Sequence, residues 1–543
     1  MQRSYMDYII IQAGGKGTRL GYLTKNKPKA LTPVENLPMI FHLFRKYPNK
    51  RFVVIADYKK DVLHKYLESF AGVKYQVVDA SGTGTCGGIK QAIDLIPEGR
   101  AFMLVWSDLI LPDCFELPMG YSDSGNVVLE SNTDSGVDDA SDALTSCNIS
   151  PDRDYVGIST TFSCRWKYEN GEFVEERSTE HGVAGFFLFR NKAVIEDVPE
   201  SGELVRWMQG KGLKFDEISL AGTREFGLLE EYEKLGQIKT RPFNRITVDG
   251  DVLTKEPVDD QGRKLAKREC AWYMKAKDKG IKGLPLVYET SPLKMEYIKG
   301  KNIYDCNYGY EDKKRILTGL VDTLKSLHES ESVPADSFSL REAYYNKTMQ
   351  RLSKIQALVP FATEKTIRVN CRDCRNVFYY RDKLEKALSR IKCDEFEFIH
   401  GDCTFSNLMI RDNGEPVLID PRGYFGFSEI FGDERYDWAK LYYSIVGNYD
   451  RFNLKKFTLD IGGHSIVDGK VIDSIGDEVR LSIESNGWED MEKDFFELTG
   501  ADKDEIKLLH AVIWLSLTTY AWQDYDSICG SFYNGLYYLE EVL

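Results

Sequence analysis

Residues 398–420 contain the side chains that a phosphate-transfer site requires. His400 is followed by Asp402, then by Asn407 and, after a short apolar strand, by Asp420. Transfer of a phosphoryl group to a hydroxyl needs a base near that hydroxyl and oxygen ligands for Mg²⁺. The spacing therefore predicts Asp402 as the catalytic base, and Asn407 and Asp420 as metal ligands.

A glycine-rich loop near the start of the chain has the composition of a triphosphate-binding loop. Glycines let the backbone approach phosphates, and the neighbouring basic side chains supply positive charge. The loop is not a Walker A motif, because Lys16 is followed by glycine rather than Ser or Thr. Its predicted nucleotide-binding residues are Gly14, Gly15, Lys16, Gly17 and Arg19. Further along, Lys29 provides a cation for a second phosphate.

A second glycine loop, Gly82 to Gly87, has the GxGxxG order of a dinucleotide-binding fingerprint. A dinucleotide fold would place Asp108 on a ribose. That fingerprint normally occupies the first strand-to-helix turn, which the first loop already fills. We therefore predict that Gly82, Thr83 and Gly84 bind the base or sugar of a nucleotide instead.

These N-terminal segments resemble the sugar-phosphate nucleotidyltransferase family. The resemblance covers about residues 7–235 and rests on the segments GGKGTRL, PKALTPV, GTGTCGG and VWSDLIL. That family transfers a nucleoside monophosphate from an NTP to a phosphate monoester and releases pyrophosphate. The resemblance implies that Arg19 and Lys29 are catalytic cations, with Lys29 on the acceptor phosphate. It also implies that Asp108 holds Mg²⁺ and that Glu225 replaces a second metal-binding Asp.

The C-terminal part resembles the aminoglycoside phosphotransferase and choline kinase group, a branch of the protein-kinase-like fold that acts on small molecules. This resemblance covers about residues 243–543 and rests on the pattern from His400 to Asp420. The residues that it implies for ATP binding are Lys255, its helix partner Glu269, and Glu296 in the hinge that meets adenine. Asp437 matches an acid that braces the catalytic loop in this group.

Strands and helices alternate at the start of the chain, which predicts a mostly parallel sheet with helices on both faces. Strands are predicted at Tyr8–Ile11, Phe52–Ile55, Tyr75–Val78, Ala101–Trp106 and Val183–Phe189, and helices at Met39–Tyr47, Asp61–Phe70, Ile89–Ile96 and Leu204–Gly210. Near residue 240 the pattern changes. A hairpin over Ile246–Lys255, a helix over about Leu265–Lys279 and strands at Leu284–Tyr288 and Lys294–Ile298 are predicted there. Beyond residue 310 we expect mostly helices, interrupted at 396–420 by two short strands.

The predicted fold class is therefore α/β, in two domains. Residues 1–240 form a Rossmann-like nucleotidyltransferase domain with a mixed, mostly parallel sheet. Residues 241–543 form a two-lobed protein-kinase-like α+β domain, with the small lobe at about 241–305 and the large lobe at about 306–543.

Composition excludes several other classes of protein. The 543 residues include 71 Lys and Arg against 85 Asp and Glu, a net charge of −14. Phosphate backbones and anionic membranes repel such a chain, and no apolar run approaches the length of a membrane span. We expect small-molecule substrates, no nucleic acid, no membrane and a cytoplasmic location. The eleven cysteines are scattered, and the one CxxC pair, Cys371 and Cys374, cannot make a four-ligand zinc site alone.

Together these features predict a bifunctional enzyme. A kinase would make a phosphate monoester with ATP, and a nucleotidyltransferase would activate it with a second NTP, CTP or UTP, both with Mg²⁺. The favoured acceptor is a sugar destined for cell-surface glycans. The alternative is choline or another amino alcohol, because C-terminal aromatic residues form either a quaternary-ammonium cage or core. Those aromatic residues are Trp514, Tyr520, Trp522, Tyr525, Phe532 and Tyr533. A scaffold with inactive sites and an antibiotic-modifying kinase are two further alternatives.

Overall fold

The computed structural model describes residues 6–117, 149–150, 152–233, 244–305, 307–462, 464–467, 470–474 and 478–543. The chain divides into two compact units. The first unit comprises residues 1–236, 465–472 and 523–525, and the second comprises residues 237–464, 473–522 and 526–543. The change of pattern predicted near residue 240 lies outside the described residues.

The first unit is built on a mixed sheet. Its strands are β1 Tyr8–Gln12, β2 Pro33–Val34, β3 Leu37–Pro38, β4 Arg51–Ala56, β5 Lys74–Asp79, β6 Phe102–Trp106, β7 Leu109–Ile110, β8 Tyr155–Ser159, β9 Lys167–Glu169, β10 Glu172–Val174, β11 Gly182–Phe189, β12 Asp216–Ser219 and β13 Arg224–Glu225. Its α-helices are α1 Met39–Lys46, α2 Lys60–Phe70, α3 Ile89–Asp94, α4 Leu204–Lys211 and α5 Leu229–Glu233.

The centre of this sheet is parallel, as predicted. β1 pairs in parallel with both β4 and β6, and β4 pairs in parallel with β5. β11 extends the sheet in the antiparallel sense beside β6, giving the order β10-β9-β11-β6-β1-β4-β5, with β8 beside β11 and β12 beside β8. Ile9, Ile10 and Ile11 are fully buried, because a central parallel strand is covered on both faces. The loops after β1, β5 and β6 therefore meet at one edge of the sheet.

The second unit begins with a four-stranded antiparallel sheet and a long helix. Its strands from residue 244 onward are β14 Asn244–Asp249, β15 Val252–Pro257, β16 Val287–Thr290, β17 Leu293–Glu296, β18 Gly300–Asn302, β19 Ser332–Pro334, β20 Thr366–Val369, β21 Arg372–Arg375, β22 Glu395–Phe398, β23 Leu408–Arg411, β24 Pro416–Leu418, β25 Phe431–Gly432, β26 Phe457–Ile461, β27 His464–Val467, β28 Lys470–Ser474 and β29 Glu478–Ile483. The α-helices are α6 Asp260–Asp278, α7 Tyr310–His328, α8 Ser337–Arg341, α9 Lys347–Ile355, α10 Arg381–Leu388, α11 Glu434–Ile445, α12 Tyr449–Asn453, α13 Glu492–Thr499, α14 Lys503–Leu517 and α15 Tyr525–Leu539.

The first four of these strands form a sheet in the order β14-β15-β17-β16, and α6 packs on it through buried Trp272 and Tyr273. The following helices build a larger lobe around an apolar core. The predicted hairpin and helix are confirmed, although α6 starts at Asp260 rather than near residue 265. The strand expected at Leu284–Tyr288 lies at Val287–Thr290.

One expectation for the large lobe is wrong. Strands interrupt the helices beyond residue 310 at more places than the expected 396–420. A four-stranded sheet of order β21-β20-β29-β26 is formed by residues on either side of that range. Its strands are short and rich in charged residues, but β29 alternates buried Val479 and Leu481 with exposed Arg480. That two-residue period is the signal for a strand with one buried face.

Within the part of the chain that the structure describes, no helix is both long enough and apolar enough to cross a membrane. The described cysteines are present as thiols. Cys371 lies in the turn between β20 and β21 and is exposed, whereas Cys374 lies within β21 and is buried.

Candidate active sites

The first glycine loop forms an exposed, positively charged rim at the carboxyl end of β1. Lys16 and Arg19 are exposed, and the backbone at Gly15 faces open space. No acceptor for the backbone N–H groups of Gly14 to Gly17 lies among the described residues. A row of unpaired N–H groups beside two cations is a concave site suited to an anion.

The second glycine loop is tied to the chain around residue 201. The N–H of Thr83 donates to Oγ of Ser201 (3.0 Å), and the N–H of Gly202 donates to the carbonyl of Thr83 (2.9 Å). Gly84 has a φ of 77°, and a Cβ there would collide with the carbonyl of Gly202. These glycines are thus required by close packing within the chain, a reason that the sequence analysis did not give. Their contact with a nucleotide base or sugar stays a prediction.

Lys29 and two carboxylates meet beside the first loop. The Nζ of Lys29 is ion-paired with Oδ2 of Asp108, which follows β6. Glu225 lies on β13, whose pairing with β7 brings it next to Asp108, and the N–H of Phe226 donates to the Asp108 carbonyl (3.1 Å). A Cβ added at Gly227 would collide with the carboxylate of Glu225 and lie 3.2 Å from Oδ2 of Asp108.

The charges of this cluster act on one another. Burial and the neighbouring charge of Asp108 raise the pKa of Glu225 to about 6, although Lys29 and Arg19 oppose this shift. The structure thus brings together four predicted site residues from distant parts of the sequence. A buried and a half-buried carboxylate side by side are stabilised by a cation near both.

In the second unit, Lys255 lies between two carboxylates. Its Nζ contacts both carboxylate oxygens of Glu269 on α6 (2.9 and 2.8 Å) and Oδ1 of Asp420 (2.7 Å). Lys255 and Glu269 are buried, whereas the side chain of Asp420 is partly exposed. Burial lowers the pKa of Lys255, but the two carboxylates outweigh it and raise the pKa above its usual value. A lysine held in this way presents a fixed positive charge.

Asp420 itself is held in an unusual backbone conformation. Its φ is 56°, in the left-handed region that a non-glycine residue seldom adopts. The N–H of Asp420 donates to the hydroxyl of Tyr273 on α6 (3.2 Å), and the N–H of Ile419 donates to the carbonyl of Asn407 (3.0 Å). These bonds connect the segment of Asp420 both to the helix of Glu269 and to the loop of Asn407.

The loop from His400 to Asn407 is held by its own side chains. Nδ2 of Asn407 donates to the carbonyl of Asp402 (2.8 Å). The N–H of Asp402 donates to Nδ1 of His400 (3.3 Å), so the hydrogen of this ring lies on Nε2, which faces the carbonyl of Ile419 (3.1 Å). Burial lowers the pKa of His400, and the neutral ring bridges the segments of Asp402 and Asp420.

Asp437 on α11 holds the same loop through hydrogen bonds to its backbone. Its carboxylate accepts hydrogen bonds from the N–H of His400 (2.8 Å) and the N–H of Gly401 (2.7 Å). Nε2 of His328 lies 3.0 Å from the same carboxylate. This is the position that the kinase resemblance implied for Asp437.

Glu296 is placed differently from what its predicted role suggests. Its carboxylate forms a two-point ion pair with Arg411 on β23, with 2.8 Å between Nη2 and Oε2, and accepts the N–H of Leu286 (3.1 Å). This side chain therefore joins two strands. A contact of Glu296 with adenine stays a prediction.

Sequence reasoning missed one side chain at the loop. Nζ of Lys440 lies 2.9 Å from Oδ1 of Asp402. Lys440 follows Asp437 by three residues on α11, and residues three apart share a helix face. The spacing could have predicted this contact, because Asp437 and Lys440 share a helix face and Gly401 and Asp402 are adjacent in the loop.

The described residues contain no group of three or more His, Cys, Asp and Glu side chains arranged to hold a metal. The pairs Asp108 with Glu225, and Asp420 with Asn407, each offer two protein ligands. Mg²⁺ is commonly bound by one or two carboxylates, with substrate phosphates and water completing its coordination.

Two family models match separate parts of the chain. Residues 8–118 match the family model described as nucleotidyl transferase, and residues 287–444 match the one described as phosphotransferase enzyme family. The chain therefore carries a nucleotidyl transferase region followed by a phosphotransferase region. The two matches indicate a nucleotidyltransferase and a small-molecule kinase, families that generally use nucleoside triphosphates and Mg²⁺. Glu225, Lys255 and Glu269 lie outside the matched ranges.

Individual relatives cover only parts of the chain. Bifunctional protein GlmU of Methanococcus maripaludis is 30% identical over 131 residues, which are 24% of this chain and 30% of that protein. The D-glycero-alpha-D-manno-heptose 1-phosphate guanylyltransferase of Campylobacter jejuni is 31% identical over 100 residues, 18% of this chain and 45% of that protein. The solved choline kinase LicA of Streptococcus pneumoniae has a TM-score of 0.33 and 13% identity, covering 56% of this chain and 92% of its own. The chain thus spans less than half the length of these two curated relatives.

Proposed function

We propose that this chain phosphorylates a small hydroxylated metabolite with ATP and then activates the product as a nucleoside-diphosphate derivative. The domains assigned to the two steps are residues 241–543 for the kinase and residues 1–240 for the nucleotidyltransferase. The observation that carries the proposal is that one chain assembles both a Lys255–Glu269–Asp420 cluster and a Lys29–Asp108–Glu225 cluster. The first reaction makes a phosphate monoester, and the second consumes one.

In the kinase step, the side chains position the reactants and stabilise charge. Lys255, fixed by Glu269, binds phosphate oxygens of ATP, while Asp402 accepts the proton of the acceptor hydroxyl. That oxygen then attacks the γ-phosphorus, and the bond to the ADP oxygen breaks. Phosphoryl transfer relies on such positioning and electrostatic stabilisation more than on covalent catalysis by the protein.

In the nucleotidyl transfer step, an oxygen of the phosphate monoester attacks the α-phosphorus of a second NTP, and pyrophosphate leaves. The N–H groups of Gly14 to Gly17, with Lys16 and Arg19, bind the triphosphate. Lys29 neutralises the acceptor phosphate. Because both reactants are anions, these cations lower the electrostatic cost of bringing them together.

Both sites fit Mg²⁺. In the first unit, burial and repulsion from Asp108 raise the pKa of Glu225, and a bound cation would favour its charged form. In the second unit Asp420 and Asn407 provide the oxygen donors that Mg²⁺ prefers. Mg²⁺ bound at these residues would screen the charge of the phosphates that react there.

We propose a sugar as the acceptor and CTP or UTP as the second NTP. Support comes from the N-terminal relative that is named for heptose 1-phosphate. The alternative acceptor, choline, needs an aromatic cage, but most of the C-terminal aromatic residues are core. Trp514, Tyr525, Phe532 and Tyr533 are at most 1% exposed, which leaves Tyr520 and Trp522. The resulting sugar nucleotide would serve cell-surface glycan synthesis, and use of two NTPs fits a cytoplasmic location.

The test separates the two half-reactions. The protein is incubated with ATP, with CTP or UTP, and with a panel of sugars and amino alcohols, while ADP and pyrophosphate are measured. Asp402→Asn should slow ADP formation about 10²- to 10⁴-fold, the usual contribution of a general base. The same variant should still release pyrophosphate when given the ready-made phosphate monoester. Loss of both activities in a folded Asp402→Asn variant would contradict the assignment of two separate sites.

A further inference from the structure

Three cationic side chains surround one buried tyrosine next to Asp402. Nη1 of Arg422 donates to the hydroxyl of Tyr436 (2.8 Å). Nζ of Lys347 and Nζ of Lys440 lie 6.0 and 5.9 Å from the centre of the Tyr436 ring. Lys440 also reaches Asp402, at 2.9 Å. We call Lys347, Arg422 and Lys440 the basic cluster.

The basic cluster has more positive than negative charge. Asp402 is the carboxylate in contact with Lys440, and no carboxylate forms an ion pair with Lys347 in the described ranges. A fourth cation, Arg351, lies one turn after Lys347 on α9 and donates to the carbonyl of Ser516 (2.5 Å). Half-buried like charges repel one another unless an anion accompanies them.

The neighbouring cations add to the effect of burial in lowering the pKa of Lys347. Burial, and then the charges of Arg422, Arg351 and Lys440, lower the pKa of Lys347 to about 6, while Glu342 opposes the shift. Packing against the ring of Tyr436 stabilises an ammonium group only weakly, whereas burial beside other cations destabilises its charge. An anion bound beside it would restore its charge.

The location of the basic cluster indicates which reactant it meets. Lys255 and Asp420 form the ATP side of the proposed site, whereas Asp402 faces the acceptor hydroxyl. Lys440 touches Asp402, and Lys347 shares the ring of Tyr436 with Lys440. The cluster thus borders the acceptor side of the base.

We infer that the acceptor carries an anionic group, a carboxylate or a phosphate, which Lys347, Arg422 and Lys440 bind beside Asp402. This inference rests on the proposed kinase function and narrows its substrate class to acidic hydroxylated metabolites. It disfavours choline, because a quaternary ammonium would be repelled by the cluster.

The test compares four acceptors with the full-length protein, ATP and Mg²⁺: a hexose, its hexuronic acid, its 6-phosphate, and choline. ADP formation gives kcat and KM for each. We expect kcat/KM to be about 10- to 100-fold higher for an anionic acceptor than for the hexose, the range for one charge-assisted hydrogen bond. The hexuronic acid and the hexose 6-phosphate distinguish a carboxylate from a phosphate.

Lys347→Met tests the cluster directly, since Met keeps the volume and removes the buried charge. It should raise KM for the anionic acceptor about 10-fold or more and leave KM for ATP unchanged. Lys347→Arg should keep the preference. Lys354→Met, the same change at an exposed lysine on α9, is the matched control and should behave as the unmodified protein.

Two results would overturn the inference. One is efficient phosphorylation of the hexose or choline with no preference for the anions. The other is a Lys347→Met variant whose kcat falls equally for every acceptor, which would assign the cluster to the transferred phosphoryl group. Failure to phosphorylate any acceptor, with ATP left intact, would instead contradict the proposed kinase function.

Discussion

The carboxylate of Asp437 accepts the backbone N–H of Gly401 at 2.7 Å, directly before Asp402 in the chain. The same carboxylate accepts the N–H of His400 and is met from the other side by His328. The position of the proposed base is thus fixed by a carboxylate that is fully buried. Asp437 is a positioning residue, and its removal should change the rate rather than the affinity.

Asp437→Asn should lower kcat for ADP formation by about 10- to 100-fold, because the amide can accept one of the two N–H groups but presents its own N–H to the other. KM for ATP should stay within about twofold, since Lys255 and Glu269 are untouched. The measurement is steady-state kinetics of the kinase half-reaction. A rise in KM for ATP with unchanged kcat would contradict the positioning role. Thermal unfolding of the variant serves as the control for folding of the kinase region.

Lys255→Met should lower kcat/KM for ATP by about 10²- to 10³-fold, the range for removing one donor that stabilises charge in a transition state. The variant also leaves Glu269 and Asp420 without the ammonium group that lies between them. Glu269→Gln is the informative partner, because it keeps Lys255 paired with Asp420 and replaces the ion pair with α6 by a weaker neutral hydrogen bond. It should give a smaller loss. Equal losses in the two variants would mean that Lys255 acts only through its pairing with Glu269.

Lys29→Ala should raise KM for the phosphate monoester more than KM for the second NTP. The loss of one desolvated charge contact corresponds to about 2–4 kcal/mol. Asp108→Ala should instead lower the rate of pyrophosphate release, with poor rescue by added Mg²⁺. Neither variant should alter ADP formation by the kinase. The assignment fails if Lys29→Ala changes only the kinase step, or if Asp108→Ala leaves pyrophosphate release intact.

Asp420→Ala should abolish Mg²⁺-dependent use of ATP, because a hard cation loses its carboxylate ligand. The expected readout is loss of ADP formation over a wide range of Mg²⁺ concentration. Near-normal phosphorylation in this variant would show that the metal lies elsewhere in the site. Asp412→Ala, at an exposed carboxylate on the turn after β23, is the control for a change of charge nearby.

The sequence predicted the strands and loops of the first sheet because buried parallel strands are continuous apolar runs that stand out from their surroundings. Local spacing also found Asp402, Asn407 and Asp420, since they lie within one loop and the strand after it. Lys347 was missed because nothing in its neighbourhood along the chain connects α9 to Asp402. The connection is made through the ring of Tyr436, a contact between separate helices.

The close packing of Gly82 and Gly84 could not be predicted from the sequence. A glycine can be required by a ligand or by packing within the chain, and the sequence does not distinguish the two. The contact with residues 200–202 shows the packing requirement. The charged strand β20 was missed because its partner β29 lies about 110 residues away, and the short strand β21 pairs with β20 alone.

The contact between His328 and Asp437 should make the stability of the protein depend on pH. Burial lowers the pKa of His328, but the hydrogen bond with Asp437 and the ion pair with Glu434 outweigh it and raise the pKa to about 9. The pKa in the folded state is therefore above the value in the unfolded chain. The stabilisation is fully present below the unfolded pKa near 6.5 and is lost as pH rises through about 9. Between pH 7 and pH 9.5 this corresponds to about 2 kcal/mol.

Thermal unfolding of the unmodified protein and of His328→Asn, followed at pH 7.0 and 9.5, measures this contribution. The unmodified protein should lose more of its Tm between the two pH values than the variant, whose side chain does not titrate. His510 provides a contrast in the same unit, because burial lowers its pKa to about 3 and its Nε2 accepts the Nε1–H of Trp514 at 3.0 Å. Being neutral at both pH values, His510 adds nothing to the alkaline change, and His510→Asn should show the same loss of Tm as the unmodified protein. An equal loss in His328→Asn would mean that the charge of His328 does not hold Asp437 in place.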